Sequence, residues 1–256
     1  MTLMIEQFTC RSDNFGVLVH DSEAGVTASI DAPEFGLIKD HLARRHWDLT
    51  DIFNTHHHGD HVEANLPLKQ AFQCTITGPA GEGDKIPGID RMVGQGDVFT
   101  FGTFEVHVIA TPGHTLGHVS YFFPAAKVAF TADTLFALGC GRVFEGTPAM
   151  MWSSLEKLLA LPDDTTVYCG HEYTQANARF ALTIEPDNAD LIARAHEIDD
   201  LRAAGKPTLP TSIGLEKRTN PFLRVNEPGI RRNLGMEDAS PTEVFAEIRT
   251  RKDHFK

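Results

Sequence analysis

The densest chemistry in the chain sits in eight consecutive residues, N-T-H-H-H-G-D-H at positions 54–61. Four histidines and an aspartate fall between His56 and His61. All charged, or all buried without partners, they would repel one another or strand polar groups. A bound metal ion removes both problems, because imidazole and carboxylate are metal ligands. On an extended segment alternate residues share a face. His56 and His58 then point one way and can grip a single ion, while His57 points away. Gly59 lets the backbone turn, and Asp60 and His61 start a second site aimed elsewhere.

An isolated H-x-H is weak evidence, since a histidine taken at random is more often a surface or satisfied core residue. Three further stretches strengthen it: T-P-G-H-T-L-G-H at 111–118, F-T-A-D-T-L-F at 130–136 and C-G-H-E-Y-T at 169–174. They add His114, Asp133 and His171, each just past a strand-like run. Nitrogen and carboxylate donors without cysteine suit zinc first, with iron or manganese as alternatives. His118 closes its motif and reads as a structural hydrogen-bonding residue. Asp31, at a strand end, could orient a ligand histidine or serve its turn alone.

These side chains need supports. Residues 51–54 read as a short strand running into the histidines. Residues 104–110, 128–131 and 165–169 read as the strands that deliver His114, Asp133 and His171. Residues 15–20 and 26–30 read as a hairpin of alternating and β-branched residues, and 98–101 joins 104–110 across Gly102-Thr103. Residue 119 opens another strand, to 123. Helical periodicity marks 37–46, 62–72 with Pro67 at a kink or late start, 150–161, 174–182, 189–204 and 242–251, the last capped by Ser240-Pro241. Residues 208–213 read as loop. Strands dominate to about residue 173 and helices follow, so two domains are expected, 1–173 and 174–256.

Composition narrows the partners. A chain of 256 residues that is 41% hydrophobic can bury a sizeable core. A net charge of −12 argues against nucleic acid. No apolar run reaches the ~18 residues of a membrane span. The N-terminus lacks a cationic segment followed by an apolar one. The four cysteines show no C-x-x-C pair, which favours a reduced compartment. A cytoplasmic protein is expected, monomeric and without nucleic-acid or membrane partners.

The motifs T-H-H-H-G-D-H, T-P-G-H-T-L-G-H and F-T-A-D-T-L-F with the late His171 resemble the metallo-β-lactamase superfamily. S-D-N-F (12–15), G-C-G-R-V-F-E-G-T (139–147), C-G-H-E-Y-T, T-N-P-F-L-R (219–224) and R-T-R-K-D-H-F (249–255) resemble glyoxalase II, the hydroxyacylglutathione hydrolases. The resemblance covers essentially the whole chain. It implies an α+β fold, an αββα sandwich followed by a small α-helical domain. It assigns His56, His58 and His114 to one metal, Asp60, His61 and His171 to a second, and Asp133 as the bridge. It further implies a metal-bridging hydroxide that attacks a thioester carbonyl, releasing D-lactate and glutathione from S-D-lactoylglutathione. Asp60 and Asp133 thereby count as catalytic. A free thiol has a pKa of about 8.5, so the leaving thiolate needs no dedicated acid.

The same resemblance gives the glutathione moiety to Arg142, Phe144, Tyr173, Arg249 and Lys252. Arg142 stands where the family usually has lysine, and Phe144 where tyrosine is usual, which changes geometry at one and removes a hydroxyl at the other. Taken alone, the cations of the last helix would be a solvated face. Cys140 and Cys169 read as structural. The glycine-rich stretch 78–83 is not a P-loop. Two rivals stand beside the thioesterase: another enzyme of the superfamily, such as a glutathione persulfide dioxygenase or a lactonase, and a non-catalytic metal- or glutathione-binding protein.

Overall fold

The computed structural model describes residues 2–255. The chain divides into two compact units, one running to Ala110 and including Thr115–Thr131, the other made of Thr111–His114 and the chain from Ala132 onward.

In the first unit, β1 (Leu3–Cys10), β2 (Asn14–Asp21) and β3 (Val26–Ile30) pair antiparallel in sequence order. The next neighbours, β4 (Asp51–Phe53), β5 (Thr75–Pro79) and β6 (Arg91–Val93), run parallel, beginning with β4 beside β3. Parallel neighbours need crossovers. Helix α1 (Phe35–Arg45) makes the first, and α2 (Gly59–Val62) with α3 (Asn65–Phe72) makes the second. Ile38 and Leu42 of α1 and Leu68 of α3 pack on Leu18, Ile52 and Ile76 of the sheet, all essentially buried.

Period-2 alternation sends the next residue of β4 to the other face. The Phe53 ring meets Phe99 at 5.1 Å, Phe101 at 5.5 Å and Tyr121 at 5.6 Å. Those residues belong to a second sheet, in which β7 (Val98–Phe101), β8 (Phe104–Ala110), β9 (Val119–Phe123) and β10 (Val128–Ala132) follow in antiparallel succession. Two sheets thus share an aromatic interior, with α1 and α3 outside the first.

The second unit contains the small pair β11 (Leu135–Phe136) and β12 (Gly139–Cys140), helix α4 (Pro148–Leu159), and β13 (Thr166–Cys169), which pairs antiparallel with β14 (Thr211–Ser212). Helices α5 (Thr174–Ile184), α6 (Ala189–Ala203), α7 (Ile213–Thr219), α8 (Pro228–Leu234) and α9 (Pro241–His254) complete it. Leu138 packs with Ala178, Ala181, Leu191, Ala195 and Ile198 in its helical core. A buried carboxylate joins helices to hairpin: Glu216 accepts from the Leu138 N–H at 2.7 Å, the Thr211 hydroxyl at 2.6 Å and Asn220 Nδ2 at 3.0 Å. Burial pushes its carboxyl pKa up. The expected cap of α9 is present as a capping box between Ser240 and Glu243.

Several expectations shift. The helix expected at 62–72 is two helices, and Pro67 lies in the first turn of α3, where its missing N–H costs nothing. The loop expected at 208–213 contains β14. Strands β1, β5 and β6 and helices α7 and α8 were not expected at all. Among the described residues no helix is long and apolar enough to cross a membrane.

Phe53→Ala should lower the unfolding free energy of the metal-free protein by about 3–5 kcal/mol, the cost of emptying a filled aromatic interior. Denaturant titration measures it, and a loss under about 1 kcal/mol would show that Phe53 does not hold the sheets together.

Candidate metal centre

Because β3, β4 and β5 are parallel, their C-terminal ends lie at one edge of the sheet, where open α/β sheets hold ligands. That edge collects Asp31 after β3 and the histidine segment after β4. The segment is pinned at both ends. The Asn54 carbonyl accepts from the Tyr121 hydroxyl at 2.7 Å, and Asn54 Nδ2 donates to the His61 carbonyl at 3.1 Å. Gly59 opens α2 without a left-handed φ, and a Cβ there would meet nothing, so the turn does not need glycine.

The rings orient as alternation predicts. His56 Nε2 lies 3.1 Å from His58 Nδ1, whereas His57 turns away toward Glu82. Asp31 is buried and accepts from the Thr55 N–H at 2.7 Å and the Thr55 hydroxyl at 2.8 Å, with His61 Nδ1 at 2.7 Å. A carboxylate at that distance accepts a hydrogen bond from Nδ1–H, which leaves the lone pair of His61 on Nε2. Asp31, left open between two roles by the sequence, therefore orients His61. Asp31, His56 and His61 bring donor atoms within 4.8 Å of one another. Asn14, from the S-D-N-F stretch, donates to Asp60 Oδ2 at 2.9 Å and fixes that carboxylate beside His61. His118 is fully buried with its ring stacked on His56 at 4.9 Å.

The second unit brings three more donors together. Asp133 Oδ2 lies 3.3 Å from His114 Nε2 and 3.4 Å from His171 Nε2. His114 Nδ1 sits 2.9 Å from the Arg142 carbonyl, which can only accept, so Nδ1 carries the proton and Nε2 the lone pair. Gly141 is forced: a Cβ there would run into the Asp133 carbonyl oxygen. His171 stacks on Tyr173 at 4.7 Å, and Phe136 stands edge-on to both.

The residues expected to meet glutathione also lie in this unit. Arg249 is 7% exposed, donates to the Cys140 carbonyl at 2.9 Å and pairs with Asp253 at 3.0 Å. Arg142 reaches the same Asp253 at 3.8 Å and covers the exposed Phe144 ring at 4.9 Å. Lys252 Nζ donates to the Ala176 carbonyl at 3.1 Å between the Phe180 and Phe255 rings. Burial, with the neighbouring Arg249 and Arg179 charges, pulls its pKa down to about 8. Burial pushes the Cys140 thiol up to about 11 and raises Cys169 as well, so both stay protonated. Sequence reasoning missed Glu82 and Asp253 as partners of site residues. A lone acid within a glycine-rich or cationic stretch gives no pattern to find.

The donor set fits metal ions: imidazole nitrogens, with the lone pairs of His61 and His114 held on Nε2, and two carboxylates, Asp60 and Asp133. Asp31→Asn keeps a residue that tolerates the left-handed backbone at position 31 but loses the charge and must turn an amide N–H₂ toward either Thr55 N–H or His61 Nδ1. It should raise the metal dissociation constant at His61 by about 10–100-fold in a chelator competition; unchanged affinity would remove Asp31 from that role.

Comparisons with known proteins agree along the chain. The metallo-beta-lactamase superfamily model matches residues 31–171, and the hydroxyacylglutathione hydrolase C-terminus model matches 172–255. A hydroxyacylglutathione hydrolase of Brucella ovis is 64% identical over 253 residues, covering 99% of this chain and 98% of its own. Among solved structures, ETHE1 from Myxococcus xanthus is 26% identical with a TM-score of 0.67, covering 99% of this chain and 100% of its own. A di-iron-bound form of TTHA1623 is 26% identical with a TM-score of 0.60, covering 82% of this chain and 95% of its own. The α+β sandwich with a helical C-terminal part is thus the fold of relatives along its full length, and the chain belongs to the hydroxyacylglutathione hydrolase family of the metallo-beta-lactamase superfamily.

Proposed function

We propose that this protein is a dinuclear metal thioesterase that hydrolyses S-D-lactoylglutathione and related S-2-hydroxyacylglutathiones to the hydroxy acid and glutathione, acting as a cytoplasmic monomer. The observation that carries the reading is full-length likeness, at 64% identity, to a hydroxyacylglutathione hydrolase, with all seven expected ligands present.

His56, His58 and His114 would hold one ion, Asp60, His61 and His171 the other, and Asp133 would bridge them. The position of Asp133 Oδ2 between His114 and His171 supports the bridge. Ions held there would lower the pKa of bound water to about 7 and polarise the thioester carbonyl. Zinc is the first choice by ligand type; the di-iron form of TTHA1623 supports iron as an alternative.

Residues 1–173 would form the catalytic domain with the metals, and 174–256 a helical glutathione-binding domain supplying Arg249 and Lys252, with Arg142, Phe144 and Tyr173 of the first adding to the pocket. The boundary between the two family models, at 171/172, supports this division. Arg249 and Lys252 would bind the glycine carboxylate. The Nε–H of Arg249 is buried without a hydrogen-bond partner among the described residues, a donor that a substrate carboxylate would satisfy. Arg142 and Tyr173 would flank the tripeptide. Phe144 offers a ring but no hydroxyl, so one donor usual in the family is absent here. The thiolate leaves without an acid, given a thiol pKa of about 8.5.

Loss of thioester absorbance from S-D-lactoylglutathione tests the reading. Metal-replete protein should hydrolyse it well above the buffer rate. No hydrolysis, with oxygen uptake on glutathione persulfide, would assign the dioxygenase activity instead. Asp133→Ala should lose most of both metals by elemental analysis; retention of two ions would refute the bridge. Arg249→Ala should raise KM more than it lowers kcat, and an unchanged KM would remove it from the pocket. Lys252 binds an anion only as the ammonium, which is lost as pH rises through about 8. KM should therefore climb above that pH in the wild type and stay flatter in Lys252→Arg; parallel profiles would contradict the assignment.

A further inference from the structure

The glycine-rich stretch G-P-A-G-E-G at 78–83 matches no phosphate-binding pattern, and the reaction leaves it without a task. It follows β5, so it emerges at the same sheet edge as the histidines. Glu82 within it is 2% exposed. Its Oε2 accepts from the His57 N–H at 2.7 Å and lies 2.8 Å from His57 Nδ1. Its Oε1 accepts from the Gly117 N–H at 2.9 Å. The approach is too close for side chains: a Cβ on Gly117 would run into the Glu82 side chain, and one on Gly81 would sit 3.2 Å from Gly117 Cα.

Both anchored residues adjoin the metal-binding rings. His57 is the middle of H-x-H, so fixing its ring outward fixes His56 and His58 inward, where their nitrogens meet at 3.1 Å. Gly117 precedes His118, whose ring stacks on His56 at 4.9 Å, and the next residue, Val119, donates its N–H to the Thr55 carbonyl at 2.9 Å. A single buried carboxylate thus ties down the chain on both sides of His56.

We propose that Glu82 is a positioning residue: through His57 and Gly117 it holds His56 and His58 as a preformed pair for one of the two ions, so that metal binding there orders little of the chain. The inference rests on the dinuclear reading above. Glu82→Gln keeps the shape but must aim an amide N–H₂ at one of its donors. His57→Ala removes the ring contact from a partly exposed position and guards against failure of the first variant to fold.

The test is stepwise zinc binding to metal-free wild type and both variants, measured against a chromophoric chelator, with circular dichroism to establish folding. The wild type should take up two equivalents. Each folded variant should bind one equivalent about 10–100-fold more weakly while the other equivalent stays within about threefold. A role in folding alone would not divide the two ions. Unchanged affinity for both equivalents in a folded variant, or equal weakening of both, would overturn the role of Glu82. A wild type that binds fewer than two ions would overturn the dinuclear reading, and this inference with it.

Discussion

An imidazole binds metal through one nitrogen, and what the other nitrogen meets decides which one that is. Everything else at this site depends on that constraint. His61 faces the Asp31 carboxylate through Nδ1, and His114 faces the Arg142 carbonyl through Nδ1. In each case the far nitrogen is left to a metal. Free rotors could not share so small a space without mutual repulsion, so the acceptors must be rigid, and rigidity requires backbone. Asp31 is itself held by two contacts from Thr55, and Asn54 ties the segment's start to the His61 carbonyl.

The parallel half of the first sheet provides that backbone. Parallel pairing aligns strand ends, so residues some 25 to 30 positions apart become neighbours without any local motif: Asp31 with His61, and Glu82 with His57. Crossover helices bury the other face through Ile38, Leu42 and Leu68. Phe53 sends the opposite face into the aromatic interior, one residue before the chemistry begins. The second unit uses different means for the same end. Asp133 and Gly141 pack backbone against backbone, and the Glu216–Asn220 network fixes the intervening hairpin through the Leu138 N–H and the Phe136 and Gly139 carbonyls. Arg249 and Arg142 then share one counter-ion, Asp253, which holds the two cations close together.

The candidate ligands could be named from the sequence because their pattern is local. Two-residue alternation separated His56 and His58 from His57, and each later donor followed a strand-like run. The family resemblance added the pairing of ligands to ions, which spacing alone left open. The residues that orient the ligands were less legible. Glu82 sits in a stretch that reads as loop, and only parallel pairing brings it to His57. Missed elements have similar causes. Strand β1 lies at a sheet edge with uneven burial, so it shows no clear alternation. Strand β5, T-I-T-G-P, ends in residues that signal a turn. Helices α7 and α8 span seven residues each, too short for periodicity to declare them.

The central claim is that the fold, before any metal arrives, dictates which imidazole nitrogen is available. Nitrogen-15 NMR of the metal-free protein, at a pH where the rings are neutral, reads this directly. The account predicts His61 and His114 with the proton on Nδ1. A proton on Nε2 at either residue, or rapid averaging between the two nitrogens, would contradict it.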